Sequence, residues 1–397
     1  MDQCPMDQLP FTTNGDALDI APRYRTLQEE QPITRVRTRA GDPAWLVTRH
    51  ADVMALLADD RLGRSHPDPA SAPRISASVL LGGPTGEPDD EHAQHRRKRR
   101  LLTPAFSARR MQALRERVGS QVEGLLNELP APPVDLHAAL SVPLPVMVIC
   151  ELLGVPYRDH DRFRAWSTDL ASLTDSAASG AGRRELVEYM HGLIAVKREA
   201  PAADVISDLL AAQDDQGLID DDIADTAAML LFAGHETTVV RIDFGVLLLI
   251  SHPDQRDALR GDPGLIGPAV EEVLRLSSSN NSVGGLPRYA HADITIHAVT
   301  IAAGDAVLLA PGVANRDPRA FPDPDTFDIA RTPNPHLTFG HGARYCIGAS
   351  LARIELQEVF GRIVHRLPNL RLAVPRHELR LQHDRLTGGL AELPVAW

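Results

Sequence analysis

One cysteine in this chain sits where a sulfur could hold a metal. Cys346 lies in the string Phe339-Gly340-His341-Gly342-Ala343-Arg344-Tyr345-Cys346-Ile347-Gly348, with an aromatic seven residues before it, an arginine two before it and a glycine two after it. A helix-like run starts at Ala349-Ser350-Leu351-Ala352-Arg353. The glycines let the backbone turn tightly and aim amide N–H groups at the sulfur. A free thiol titrates at about 8.5, so a standing thiolate needs a metal, backbone donors or a helix N-terminus beside it. The loop supplies the last two and is built to accept the first.

A second constellation, Ala233-Gly234-His235-Glu236-Thr237-Thr238, falls inside the longest periodic segment, Asp221 to Ile250. An interior glycine costs about 1 kcal/mol against alanine, so Gly234 points to packing or function. Thr237 can bond back to a carbonyl one turn earlier and open the helix there. An acid beside an alcohol at such a place can hold water and pass protons. Elsewhere, Glu272 and Arg275 share a helix face and can pair. His95 and Arg99 also share a face, as do His92 and Arg96. Either of those pairs could donate to a buried carboxylate, and spacing does not choose between them.

The cysteine string resembles the haem-ligand loop of the cytochrome P450 superfamily. Gly234-His235-Glu236-Thr237-Thr238 resembles that family's oxygen-activating segment, and Glu236 precedes Cys346 by the expected 110 residues. The resemblance runs from Trp45-Leu46-Val47-Thr48-Arg49 to Leu393-Pro394-Val395, and implies a mainly α fold with small β-sheets, the cytochrome P450 fold, as one domain over residues 1–397. It implies haem b with Cys346 as the iron's axial ligand, and it makes Phe339, Gly340 and Ala233 cofactor neighbours. His95 and Arg99 are selected by their spacing to Leu101-Leu102-Thr103-Pro104-Ala105-Phe106, and with Arg288 and Arg344 they are expected to hold the haem propionates. Glu236 and Thr237 are expected to be the catalytic pair, Thr237 bonding the oxygen under activation and Glu236 feeding protons. Glu272, Arg275 and Arg331 are expected to form a structural cluster around the haem loop. Electrons would come from NAD(P)H through a ferredoxin reductase and a ferredoxin docked on part of Arg96, Arg97, Lys98, Arg100, Arg109 and Arg110.

Bulk properties agree with an enzyme of this kind. A net charge of −12 argues against a surface that wraps nucleic acid. Cys4, Cys150 and Cys346 are far apart and odd in number, with no zinc-type pair and no disulfide framework. The start of the chain lacks the basic and apolar runs of a signal peptide, and no apolar stretch reaches the ~20 residues of a membrane span. A cytoplasmic monomer without a membrane anchor is therefore expected.

The elements that must position these groups are read from periodicity. Gln31–Thr38 and Ala44–Thr48 form a hairpin around Gly41-Asp42-Pro43, and Ala51–Ala58 a short helix. Residues 64–88 are loop, residues 92–129 helical, and residues 142–212 mostly helical with a break from Asp175 to Gly182. Asp220 is expected to cap the long helix. Strands follow between Arg288 and Leu309, around Leu370–Val374 and around Leu390–Val395.

A substrate pocket is expected from Ile75, Val79, Leu80, Leu81, Phe232, Val283, Gly284 and Thr387, which suit a largely apolar small molecule. Ser277-Ser278-Ser279-Asn280-Asn281-Ser282 reads as a solvated turn or as a source of hydrogen bonds to a polar ligand. Val240-Arg241-Ile242-Asp243-Phe244-Gly245 and Leu386-Thr387-Gly388-Gly389-Leu390 look like the pentalenolactone synthase branch of bacterial natural-product enzymes. Hydroxylation, epoxidation or oxidative rearrangement is the expected outcome. Oxidative coupling of a cyclodipeptide-like substrate without oxygen insertion is the alternative, and a non-catalytic haem sensor a remote one.

Overall fold

Asp220–Ser251 forms one uninterrupted helix of 32 residues, about 48 Å at the usual rise. The computed structural model describes residues 6–13, 15–79, 82–277 and 287–397. Asp220 does not cap the long helix. It is the first helical residue, and its carboxylate accepts from Arg198 and Gln213, each at 2.7 Å. A charge-assisted bond to a guanidinium outcompetes the helix's own amides. Asp222 closes the start instead, accepting from the Ile219 N–H at 3.2 Å.

Helices Pro143–Leu153, Ser176–Glu199, Ile266–Leu276 and Ala349–Arg366 pack around the long helix. Two of its glycines allow the approach. A Cβ at Gly234 would stand 2.7 Å from Ile149 Cδ1, and one at Gly245 would stand 2.1 Å from Phe360 Cζ. The second contact seats the helix that follows Cys346 directly against the long helix.

Short strands form the edges: β1 Asp7–Gln8, β2 Ile33–Arg37, β3 Pro43–Val47, β4 Leu62–Gly63, β5 Val134–Asp135, β6 Arg288–Ala290, β7 Ile294–Ile296, β8 Val299–Ile301, β9 Ala306–Leu309, β10 Arg371–Leu372 and β11 Pro394–Ala396. The largest sheet has the order β1-β2-β3-β9-β6-β4; β10-β11-β5 and β7-β8 make two more. The expected hairpin is β2–β3, with Val36 opposite Ala44.

Two helical boundaries differ from the sequence reading. Residues 92–129 divide into helices Glu91–Leu102 and Ala108–Asn127, separated by a 3-10 turn over Thr103–Phe106. The expected break from Asp175 to Gly182 is shorter. Asp175 caps a helix that starts at Ser176, accepting from the amides of Ala177 and Ala178 at 2.9 Å. Gly182 lies inside that helix because the helix His160–Leu170 crosses there: a Cβ would stand 2.4 Å from the Trp166 carbonyl oxygen.

Glu272, Arg275 and Arg331 meet as expected. Arg275 grips both Glu272 oxygens at 2.7 and 2.8 Å, and Arg331 Nε adds 3.1 Å. Arg275 also donates to the carbonyls of Asn315, Pro324 and Thr326. Every remaining donor of this buried ion pair is thus satisfied, as low dielectric demands.

Candidate active site

The Cys346 loop is fixed at both ends. Asn315 Oδ1 accepts the Leu337 amide at 2.7 Å, and Thr338 Oγ1 donates to the Leu274 carbonyl at 2.8 Å. Gly340 and Gly342 hold positive φ of 74° and 71°, a conformation open to glycine. The turn they make brings the Cys346 N–H onto the Phe339 carbonyl at 2.9 Å. Arg353, one turn into the following helix, lies 4.6 Å over the Phe339 ring and grips Glu271 through two bonds of 2.7 and 2.8 Å. It also donates to the Tyr345 hydroxyl at 3.2 Å.

Cys346 is surface-accessible, yet burial pushes its thiol pKa up, while the Gly348 N–H and the charges of Arg99 and Arg353 pull it down. Both hold at once for a sulfur on the wall of an enclosed space. Ala233 and Thr237 show the same signature: they are exposed in the middle of a helix whose neighbours Leu231, Phe232, His235 and Thr238 are buried. One turn apart, they share an accessible face of the helix.

Three of the sequence-predicted cofactor residues, Arg344, His95 and Arg288, feel one carboxylate, that of Glu91. Glu91 accepts both the Arg64 and Ser65 amides, the Ser65 hydroxyl and the Arg344 guanidinium. Arg99 Nη1 donates to the Tyr345 carbonyl. Burial, then the charges of Arg344 and Arg99, lower the pKa of His95. Burial, followed by repulsion from Arg64 and Arg344, brings Arg288 down to about 10. Among the described residues no carboxylate pairs with Arg288. Glu91 alone cannot balance this cationic set, and an isolated buried charge is costly. The cluster therefore fits a ligand that carries carboxylates, and the accessible Cys346 sulfur fits its metal. Glu91 and Arg64 were missed in the sequence. Their signal was a lone acid opening a helix that is otherwise a run of cations.

In the long helix, Thr237 Oγ1 donates to the Ala233 carbonyl at 3.1 Å and Thr238 to Gly234 at 3.4 Å. The expected back-bond is present, but the helix stays closed. Glu236 points elsewhere: Oε1 lies 3.5 Å from His235 Nε2, and Oε2 accepts from Thr387 Oγ1 at 3.4 Å. Burial works to raise its pKa, but His235, Arg385 and Thr387 bring it below the ordinary value.

The expected pocket residues are spread out. Val79 is 41% exposed and its N–H donates to Ser179 Oγ. Ile75 packs against the core beneath the large sheet. Phe232 is 4% exposed and turned into the helical core. Leu80, Leu81, Val283 and Gly284, with the polar stretch 278–282, lie outside the described residues.

Comparison with known proteins returns one family. A family model described as Cytochrome P450 matches residues 183–262 and 265–379. Pentalenolactone synthase of Streptomyces exfoliatus is 48% identical over 400 residues, 99% of either chain. Mycinamicin IV hydroxylase/epoxidase of Micromonospora griseorubida is 42% identical over 96% of either chain. Among solved structures, the substrate-free pimaricin epoxidase PimD is 42% identical, with a TM-score of 0.88 over 100% of both chains. The putative thioether synthase SgvP, a tailoring enzyme for griseoviridin, is 38% identical, with a TM-score of 0.92 over 99% of this chain and 100% of that one.

Proposed function

The chain belongs to the cytochrome P450 superfamily, and from that premise we propose that it is a haem-thiolate monooxygenase that oxidises a C–H bond of a largely apolar natural product in secondary metabolism. The observation that carries the reading is the Cys346 loop: an accessible sulfur, amide-bonded through Gly348, at the start of a helix seated on Ala233 and Thr237's own helix. When bound, haem b supplies the oxidising power, and its thiolate ligand favours O–O cleavage.

The chain's own residues do the rest. Cys346 holds the iron as thiolate. His95, Arg99, Arg288 and Arg344 hold the propionates; Arg344 does so while tied to Glu91, which keeps its guanidinium in place. Phe339, clamped under Arg353, walls the sulfur. Ala233 leaves room on the accessible face it shares with Thr237. Thr237 has its proton engaged at the Ala233 carbonyl, so its oxygen lone pairs are available to accept a hydrogen bond. Glu236 takes up protons from water and supplies them toward Thr237.

Electrons come from NAD(P)H through a ferredoxin reductase and a ferredoxin. The docking face narrows to Arg96, Lys98, Arg100 and Arg109, which are exposed and lack carboxylate partners among the described residues; Arg96 and Arg100 border the same depression as Ala343 of the cysteine loop. Arg97 is held by the Gln216 carbonyl and Arg110 by Asp208. The chain acts as a monomer and as one domain. Among the described residues no helix is long and apolar enough to cross a membrane.

The names of the relatives, a pentalenolactone synthase, a mycinamicin IV hydroxylase/epoxidase and a polyene macrolide epoxidase, support a lactone or macrolide as substrate, and the putative thioether synthase neighbour supports bond formation without oxygen insertion as a second outcome. The test is a spin-state screen of the haem-loaded protein against terpenoids, macrolides and cyclodipeptides. NAD(P)H consumption by the hits is then followed with added ferredoxin and reductase. Cys346→Ser removes the red-shifted absorption of the reduced carbon monoxide complex. Retention of that band sinks the assignment.

A further inference from the structure

Thr387 was expected to line the substrate pocket, but its hydroxyl is committed to Glu236 at 3.4 Å, across 151 residues of sequence. The turn that presents it is fixed to the substrate side of the molecule. Leu386 N–H donates to the Ala171 carbonyl at 3.1 Å, and Leu173 N–H to the Asp384 carbonyl at 2.9 Å. Arg385 Nη1 donates to Thr168 Oγ1 at 3.1 Å, and Ala77 N–H joins the same strip at the Leu173 carbonyl. On the other side, Gly389 meets the long helix one turn beyond Glu236: a Cβ there would stand 2.9 Å from Val240 Cγ2. The turn is thus locked between the helix that carries the acid and the segments over the substrate side.

Among the described residues no hydrogen bond joins Glu236 to Thr237. Something must therefore set where the acid waits. Resting on Glu236's role as the proton-supplying acid, we propose that Thr387 is its positioning residue, holding the carboxylate toward the 384–389 turn so that the substrate-side cover fixes where protons enter. His235 completes the seat. Its Nδ1 lies 2.8 Å from the Leu231 carbonyl, which makes Nδ1 the donor there, and its buried Nε2 faces Glu236 Oε1 at 3.5 Å. The titratable groups that bear on Glu236 are His235 on its own helix, Arg385 on the turn, and His137 in the short helical segment His137–Ser141, whose own pKa Glu236 helps to raise.

The test uses the ligand-free, haem-loaded full chain. Infrared titration of the carboxyl band, assigned by its loss in Glu236→Gln, gives the midpoint of Glu236. Thr387→Val removes a bond that favours the charged form, so the midpoint rises, and Thr387→Ser restores it. In parallel, peroxide release is driven by NADPH through a plant-type ferredoxin and its reductase, with no organic substrate, in light and heavy water. Its solvent isotope effect changes in Thr387→Val and returns in Thr387→Ser. A midpoint and isotope effect unmoved by Thr387→Val, while Glu236→Gln moves the isotope effect, overturn the positioning role alone. If Glu236→Gln leaves the isotope effect unmoved, the acid's role falls and the positioning role with it.

Discussion

The Cys346 side of this molecule and the side of the 384–389 turn, where the substrate is proposed to bind, are held by different forces. Around Cys346, buried and half-buried ion pairs converge: Glu272 with Arg275 and Arg331, Glu271 with Arg353 and His336, Glu91 with Arg344. Arg275 and Arg331 place their remaining donors on the backbone carbonyls of Asn315, Pro322, Asp323, Pro324 and Thr326. On the substrate side, the segments near residues 77, 171–173 and 384–388 are joined by single backbone bonds and one arginine–threonine contact. An ion-pair lattice resists change because removing one partner strands the other. A set of loop-to-loop amide bonds tolerates new side chains. On the proposed function, that division would let Cys346 stay fixed while the substrate pocket varies.

The sharpest way to break that comparison is Glu272→Ala. It leaves Arg275 buried without a counter-charge, and such losses cost about 3–5 kcal/mol. Urea unfolding of the haem-loaded protein should show a loss of that size, with poor retention of haem. Arg385→Ala, on the substrate side, gives up one hydrogen bond worth about 1 kcal/mol. Equal losses would show that the two sides are built alike.

Thr237→Ala probes where the sides meet. A positioned proton donor or acceptor is worth at least about a hundredfold, so product per NAD(P)H should fall by that order while peroxide rises. Thr238→Ala is the control, because Thr238 is buried and its longer bond returns to Gly234. A similar loss in both variants would place the defect in helix packing.

Much of the cysteine side was legible because its chemistry is contiguous: one string contains ligand, turn glycines and helix start. The pairing of Glu272 with Arg275 was legible for a similar reason, three residues apart on one helix face. What escaped is what only folding brings together. Glu91 collects amides from Arg64 and Ser65, 27 and 26 residues before it, and a guanidinium from Arg344, 253 residues after it. Thr387 reads as a turn residue until the turn is laid on Glu236. Gly182 reads as a helix breaker, since the crossing helix that requires it leaves no local mark. The pocket was the least legible part: Phe232, apolar beside the key motif, faces the core.

The docking face offers a finer comparison within the basic run. Arg96→Glu with Arg100→Glu should slow reduction by ferredoxin about tenfold at low salt, through lost steering. The gap should narrow as ionic strength passes ~0.15 M, where the screening length is about 8 Å. Arg97→Glu with Arg110→Glu should slow it less, since those cations already serve Gln216 and Asp208. Stopped-flow reduction across a salt series decides it; identical curves for the two pairs would spread docking over the whole run.

The smallest effect separates the sides by pH. Burial works to raise the Glu271 pKa, yet Arg353 and His336 hold it down at about 2, from an ordinary 4.5. A depressed carboxylate releases its proton more readily in the folded state. Its stabilisation is therefore present above pH 4.5 and is lost as pH falls toward 2. Glu271→Gln should lower stability at neutral pH, and the gap to the parent protein should close over that acid window. Thr387→Val leaves Glu271 in place and only raises the Glu236 midpoint, so its acid slope should depart from the parent's by less than that of Glu271→Gln. Unfolding midpoints collected from neutral pH to pH 2 test both, and an acid slope left unchanged by Glu271→Gln would mean that Arg353 holds Phe339 and Tyr345 without help from that carboxylate.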